Sequence, residues 1–345
     1  MPRGAALPAG EPVSRRSSAA DRPRRAAERS AAGRSQATSR RVWAWGAGLL
    51  VLATAIGLAL RPPPGGADRP IGSTALCKRP PAFAAAWGFS GNAALSTQNP
   101  RLKGLSIQEG ERVQQHPSWT QAGSLGPPIL DAAGNAYVIP VPYVHVLDNP
   151  AEKQNQVYKV DSRSGEMRVL ADLPVEAPPS AMNPFGLMGL SYDCDLDRLY
   201  ASSLSGSDAQ QERGRIFQVN PASGAVLDVL EGIDVMGLTT FNGAQGKRLY
   251  FGSARRSEVL SIALEADGSF SAEAPRMEFS LAEHGRHGDE KARRLVVGPD
   301  GTMTVSIMTF DYNLVANSER LQTRLSFTYQ AKEDRWVFEK RANLD

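Results

Sequence analysis

The chain has 345 residues, with 39 lysines and arginines against 36 aspartates and glutamates and a formal net charge of +3. Ten arginines fall within residues 1–41 beside only Glu11, Asp21 and Glu28, so the basic excess belongs to that segment and the remainder is slightly acidic. The positive balance therefore gives no reason to propose a nucleic-acid-binding domain.

Residues 1–41 are rich in Ala, Ser, Gly, Pro and Arg with little apolar clustering. They cannot bury enough surface to offset the entropy of ordering, and read as a disordered basic tail in the cytoplasm. Val42–Leu60 then runs for 19 residues without a charge. As a helix it reaches about 28 Å, close to the hydrocarbon thickness of a bilayer. Arg40 and Arg41 at its start place the N-terminus in the cytoplasm, Trp43 and Trp45 suit the interface, and Pro62, Pro63 and Pro64 end the helix. The segment reads as a transmembrane helix or uncleaved signal anchor. That implies the bacterial inner membrane, with the C-terminal domain periplasmic or otherwise extracytoplasmic. A second outcome stays open: Ser39-Arg40-Arg41-Val42-Trp43 resembles the twin-arginine export motif, and Gly65-Gly66-Ala67 supplies the small residues that a signal peptidase prefers.

Residues 61–81 form a Pro/Gly-rich linker, and 82–345 the folded domain. The two cysteines of the chain, Cys77 and Cys194, would be able to oxidise to a disulfide outside the cytoplasm; two separate buried thiols are the other reading.

Within the domain, short alternating runs are punctuated by Gly, Asn, Asp and Ser turns, and no long amphipathic helix interrupts them. Four stretches rhyme: GPPILDAAGNAYVIP from Gly126, GLSYDCDLDRLYASS from Gly189, GLTTFNGAQGKRLYFGS from Gly237 and RLVVGPDGTMTVSI from Arg294. Each is a strand, a polar turn and a second strand, with Tyr137, Tyr200, Tyr250 and Thr304 at matching positions. Return hairpins follow, such as QVYKVDSRSGEMRVL from Gln156 and RIFQVNPASGAVLDVL from Arg215. A repeat of about 50 residues with four strands is a β-propeller blade. With a less regular unit around WGFSGNAALS from Trp87, the count is five or six blades, and residues from both termini are expected to share one blade and close the ring.

Several stretches fall outside the rhythm. His284 and His287, in AEHGRHGDEKAR, have carboxylates nearby and could hold zinc, or stand in a solvated loop. His116 and His145 are isolated, and one is expected to satisfy a backbone group. The stretches from Tyr137 to Gln156 and from Ile307 to Arg324 are long and polar and suggest extended loops on one face, where propellers contact ligands. Neither a G-x-S-x-G elbow nor a phosphate-binding glycine loop is present.

The recurring Gly-Leu, polar turn, Leu-Tyr and Asn-Pro-Ala-Ser-Gly resemble the NHL-type and gluconolactonase-type propellers over about residues 87–340. Enzymatic members hold a divalent cation at the mouth of the central channel, on side chains just ahead of the first strand of successive blades. That resemblance implies Asn183 and Asp234 as ligands, with calcium as the cation suited to oxygen donors. The family's glutamate has no counterpart, because Gly126 and Pro127 occupy its place. The bland alternative is that Asn183 caps a loop and Asp234 forms an Asx-type turn.

The expectation is therefore an all-β, five- or six-bladed propeller behind one membrane helix, serving as a binding or scaffold module in the cell envelope. Its partners would be the membrane and an envelope protein or small-molecule ligand, with no nucleic acid. The alternative is a calcium- or zinc-dependent lactonase or esterase of the gluconolactonase type.

Overall fold

A computed structural model describes residues 70–99, 102–141, 150–313 and 322–344. The basic tail, the apolar run from Val42 to Leu60, the twin-arginine-like motif, the linker up to residue 69 and His145 lie outside the described residues. Among the described residues no helix is long and apolar enough to cross a membrane.

The domain is a five-bladed β-propeller. Blade one is three-stranded, with β2 (Ala94–Ser96), β3 (Ser106–Glu109) and β4 (Arg112–Gln114), preceded by strand β1 (Gly72–Ser73) and helix α1 (Ala82–Ala86). Blade two contains β5 (Ile129–Leu130), β6 (Ala136–Val138), β7 (Gln156–Val160) and β8 (Met167–Asp172). Blade three contains β9 (Leu187–Asp193), β10 (Arg198–Ser203), β11 (Arg215–Val219) and β12 (Val226–Glu231). Blade four contains β13 (Val235–Gly243), β14 (Gly246–Ser253), β15 (Glu258–Ala263) and β16 (Arg276–Ser280). Blade five contains β17 (Lys291–Val297), β18 (Thr302–Met308), β19 (Gln322–Gln330) and β20 (Arg335–Leu344). Strands within each blade run antiparallel in chain order, so the first strand of each four-stranded blade is innermost. We call the face where the first strands begin the upper face, and the face where they end the lower face.

The four rhyming stretches are the first and second strands of blades two to five. Their tyrosines explain why neighbouring blades stack. Tyr137 packs in the cluster between blades two and three, Tyr200 in that between three and four, and Tyr250 in that between four and five. A further cluster, with Phe83, Leu105, Ile107 and Trp119, joins blade one to Val138, Tyr158 and Val160 of blade two. The rhyming glycines have a steric cause. A Cβ on Gly189 would stand 2.3 Å from the Met236 carbonyl oxygen, and one on Gly237 would stand 2.7 Å from that of Arg293. Only glycine lets adjacent inner strands come this close.

The ring does not close as the sequence suggests. β1 does not complete the last blade; it pairs with the end of β13, Gly72 opposite Asn242 and Ser73 opposite Phe241. Blade five is built wholly from C-terminal residues. The free inner edge of β13 supplies unpaired backbone groups that the leading segment satisfies, whereas β20 is already the outermost strand of a complete blade. Residues 72–79, which the sequence places in the linker, therefore cross the lower face. Thr74 donates its hydroxyl to Thr240, its carbonyl accepts from the Cys194 amide, and the Arg79 amide reaches the Asp131 carbonyl. Cys77 and Cys194 are joined by a disulfide, with Cα atoms 5.8 Å apart. Arginine, lysine and threonine occupy the outward side of blade five, and no apolar cluster joins it to blade one among the described residues.

Candidate functional site

The upper face is organised around Asp234, which directly precedes β13 and is wholly buried. Its Oδ1 accepts from the Ser207 hydroxyl and from the Gly214 amide at 2.9 Å. Its Oδ2 accepts from Arg255 Nε at 2.8 Å and from the Tyr312 hydroxyl. Ser207 and Gly214 belong to the connection between β10 and β11, Arg255 to that between β14 and β15, and Tyr312 follows β18. One carboxylate thus ties together the second-to-third-strand loops of three blades. A buried carboxylate needs such saturation, because an unpaired one would be prohibitively desolvated.

Arg255 is held from several sides. Its guanidinium lies 5.3 Å from the centre of the Tyr312 ring, donates to the Asp208 and Ala209 carbonyls, and has Glu212 at 3.7 Å. Glu212 also accepts from the Asp234 amide at 2.7 Å. Burial, followed by the hydrogen bond to Asp234 and its charge, pushes the Tyr312 hydroxyl upward, so it remains a donor at ordinary pH.

Asn183 sits ahead of β9 and caps its loop. Its Oδ1 accepts from the Phe185 amide at 3.0 Å, and its Nδ2 donates to the Leu204 and Ser207 carbonyls. Asn183 and Asp234 are therefore brought together, but through Ser207, which accepts from the first with its carbonyl and donates to the second with its hydroxyl. Asp234 does not form a local Asx turn, because its partners come from distant loops. Both donors of Asn183 are spent on backbone carbonyls, and both oxygens of Asp234 are occupied twice. Asp234 therefore has neither oxygen uncommitted in the manner of a calcium ligand, and the Asn183 carbonyl oxygen is already engaged by the Phe185 amide.

His284 and His287 diverge. The His284 ring stacks on Phe338 with centroids 3.9 Å apart, whereas His287 is exposed. The nearby Glu290 instead accepts the amides of Arg286, His287 and Gly288, which shapes the loop. Among the described residues no group of three His, Cys, Asp or Glu side chains is placed to share a metal ion. His116 accepts the Ser118 amide through Nδ1, capping the turn from Pro117 to Thr120.

Below the Asp234 hub, Phe185, Met188, Leu204, Met236, Ala254 and Met308 form an apolar cluster against Phe310. Arg293 donates to the Met188 carbonyl from the first strand of blade five. The sequence marks the Tyr312 loop by its length and polarity, and marks Asp234 by its position. Arg255, Ser207 and Glu212 carry no comparable signal, since each stands in an ordinary polar turn.

These features define a five-bladed β-propeller whose upper loops are locked to one buried carboxylate. No protein family matches the chain, and no curated protein matches it by sequence. It is similar to a chain in the crystal structure of a nidogen/laminin complex, at 11% identity over 68% of this chain and 74% of that one, with a TM-score of 0.38.

Proposed function

We propose that this chain is a binding or scaffold module displayed outside the cytoplasm in the bacterial cell envelope, with the upper face as its contact surface. The observation that carries this reading is the Asp234 hub. Three loops from three blades converge on a carboxylate with no capacity left, so they form a rigid platform that loses little conformational entropy on binding. The disulfide supports the extracytoplasmic placement, since such bonds persist chiefly in oxidising compartments. Residues 72–79 join the ring at the lower face, so the upper loops are not covered by them. Met182, on the upper loop ahead of Asn183, is 78% exposed and is the natural apolar contact point. The gluconolactonase-like reading would require Asp234 to release Arg255 and Tyr312 before it took a cation, and no observation favours that exchange.

The test is a photo-crosslinking amino acid placed at 182, with a control at Met277 on the outermost strand of blade four. The proposal expects a discrete adduct with an envelope component from position 182 and none from position 277. Equal labelling from both positions, or none from 182, would refute it.

A further inference from the structure

The sheet face of blade five that points away from blade four carries a pattern the other blades lack. Strand registers give equivalent positions: Tyr200 lies opposite Ser191, Tyr250 opposite Thr239, and Thr304 opposite Val296. Two residues earlier on each first strand stand Gly189, Gly237 and Arg294. Continuing across the sheet, Gly189 pairs with Ser202 and Ser202 with Ile216 in blade three, and Gly252 pairs with Val259 in blade four. In blade five, Arg294 pairs with Ser306, and Ser306 with Arg324. Where blades three and four have glycine and buried aliphatic residues to receive the next blade, blade five has two arginines with a serine between them.

Arg294, Ser306 and Arg324 form one row across three adjacent strands, so their side chains share a face and the two arginine Cα atoms stand about 10 Å apart. The neighbouring row on the same face is Val296, Thr304, Ser326 and Lys340. Both arginines are exposed, and neither has an acidic partner or a hydrogen-bond acceptor among the described residues. Desolvation, and secondarily the like charge of Arg324, lowers the basicity of Arg294. The residue between the two arginines is a serine, whose hydroxyl donates to anions equally well, and Glu339 on this face is engaged by the Thr328 hydroxyl two rows away.

We propose that Arg294 and Arg324 form an anion site on the outward face of blade five, taking a tetrahedral oxyanion such as phosphate or sulfate, with Ser306 donating from below. Two guanidinium forks at this spacing can converge on one oxyanion with paired, charge-assisted hydrogen bonds. The site is separate from the upper-face platform and does not depend on it.

Calorimetric titration of the intact chain at low ionic strength tests this, with inorganic phosphate and sulfate as probes and an Arg294→Gln, Arg324→Gln double variant for comparison. Vesicles of phosphatidylglycerol in phosphatidylcholine form a second arm. The expected result is one phosphate per chain, weakened at least tenfold in the double variant and unchanged in an Arg335→Gln control, with chloride unable to replace it. Binding confined to vesicles, and lost in the double variant, supports the same site with a lipid headgroup as the source of the oxyanion. Absence of binding in both arms, or equal binding by the double variant, overturns the proposal. The melting temperature without phosphate shows whether the variant is folded; removal of uncompensated repulsion is expected to leave it unchanged or raised.

Discussion

Lys247 and Asp193 form a sealed ion pair on the lower face: the ammonium stands 2.7 and 2.6 Å from the two carboxylate oxygens, and their side chains are 3% and 0% exposed. Asp193 ends the first strand of blade three and Lys247 begins the second strand of blade four, so the pair fastens one blade to the next beneath the channel. Asp195 adds a third contact to the ammonium at 3.1 Å. Lys247→Met should cost about 3–5 kcal/mol, because it leaves a desolvated carboxylate uncompensated. Adding Asp193→Leu should recover most of that loss. Urea denaturation of the single and double variants measures both, and an additive double variant would show that the pair is not coupled.

Asp234→Ala should destabilise by a similar amount, about 3–5 kcal/mol, since it strands Arg255 and removes acceptors from Ser207, Gly214 and Tyr312. Asp234→Asn should cost less, because it retains an acceptor oxygen. Calcium or zinc added to the metal-stripped wild-type chain should leave its melting temperature unchanged. A saturable calcium site that disappears in an Asn183→Ala, Asp234→Ala double variant would instead restore the metal-dependent hydrolase reading.

The disulfide closes a separation of 117 residues. Restricting so long a loop in the unfolded chain stabilises by about 2–5 kcal/mol on the chain-entropy account. A Cys77→Ser, Cys194→Ser variant should melt lower by several degrees, and reductant should lower the wild type but not the variant. Amide exchange should rise first at Cys194, whose amide donates to the Thr74 carbonyl of the leading segment.

Glu290 gives a pH-dependent loop. Burial raises the proton affinity of its carboxyl, but the amides of His287, Arg286 and Gly288 outweigh this and hold it below the ordinary glutamate value. A carboxyl depressed on folding contributes stability above its unfolded value of about 4.3, and loses it as pH falls through the lower folded value. Glu290→Gln should therefore cost about 1–3 kcal/mol near pH 7. The difference from wild type should shrink below about pH 4 as the native carboxyl protonates. Paired denaturation curves across that range decide it; a difference independent of pH would assign the effect to shape rather than charge.

Much of the blade pattern is legible from residues because side-chain alternation and turn chemistry are local. The first-strand, turn, second-strand rhyme locates β5–β6, β9–β10, β13–β14 and β17–β18, and the matching tyrosines are the residues buried between blades. The same rhyme records its own exception, since Thr304 and Arg294 break it in the blade that no apolar cluster joins to blade one among the described residues. Blade one is less legible because its strands have only three or four residues and carry neither the glycine nor the tyrosine of the repeat.

The positions of Asn183 and Asp234 are likewise visible in sequence, but their use is not. Tyr312 reaches Asp234 across 78 positions, and Arg255 across 21. Whether a carboxylate ahead of a first strand faces an open channel or a ring of donors depends on how neighbouring loops fold over it. The placement of β1 follows the same principle, because only the assembled ring exposes the inner edge of β13 to the leading segment. The sequence by itself determined the first and second strands of blades two to five and their apolar faces, consequences of alternation and turn geometry within a few residues. Tertiary structure alone decided how the termini are used, which oxygens are already occupied and that two arginines share one row, because these depend on atoms meeting across different strands and blades.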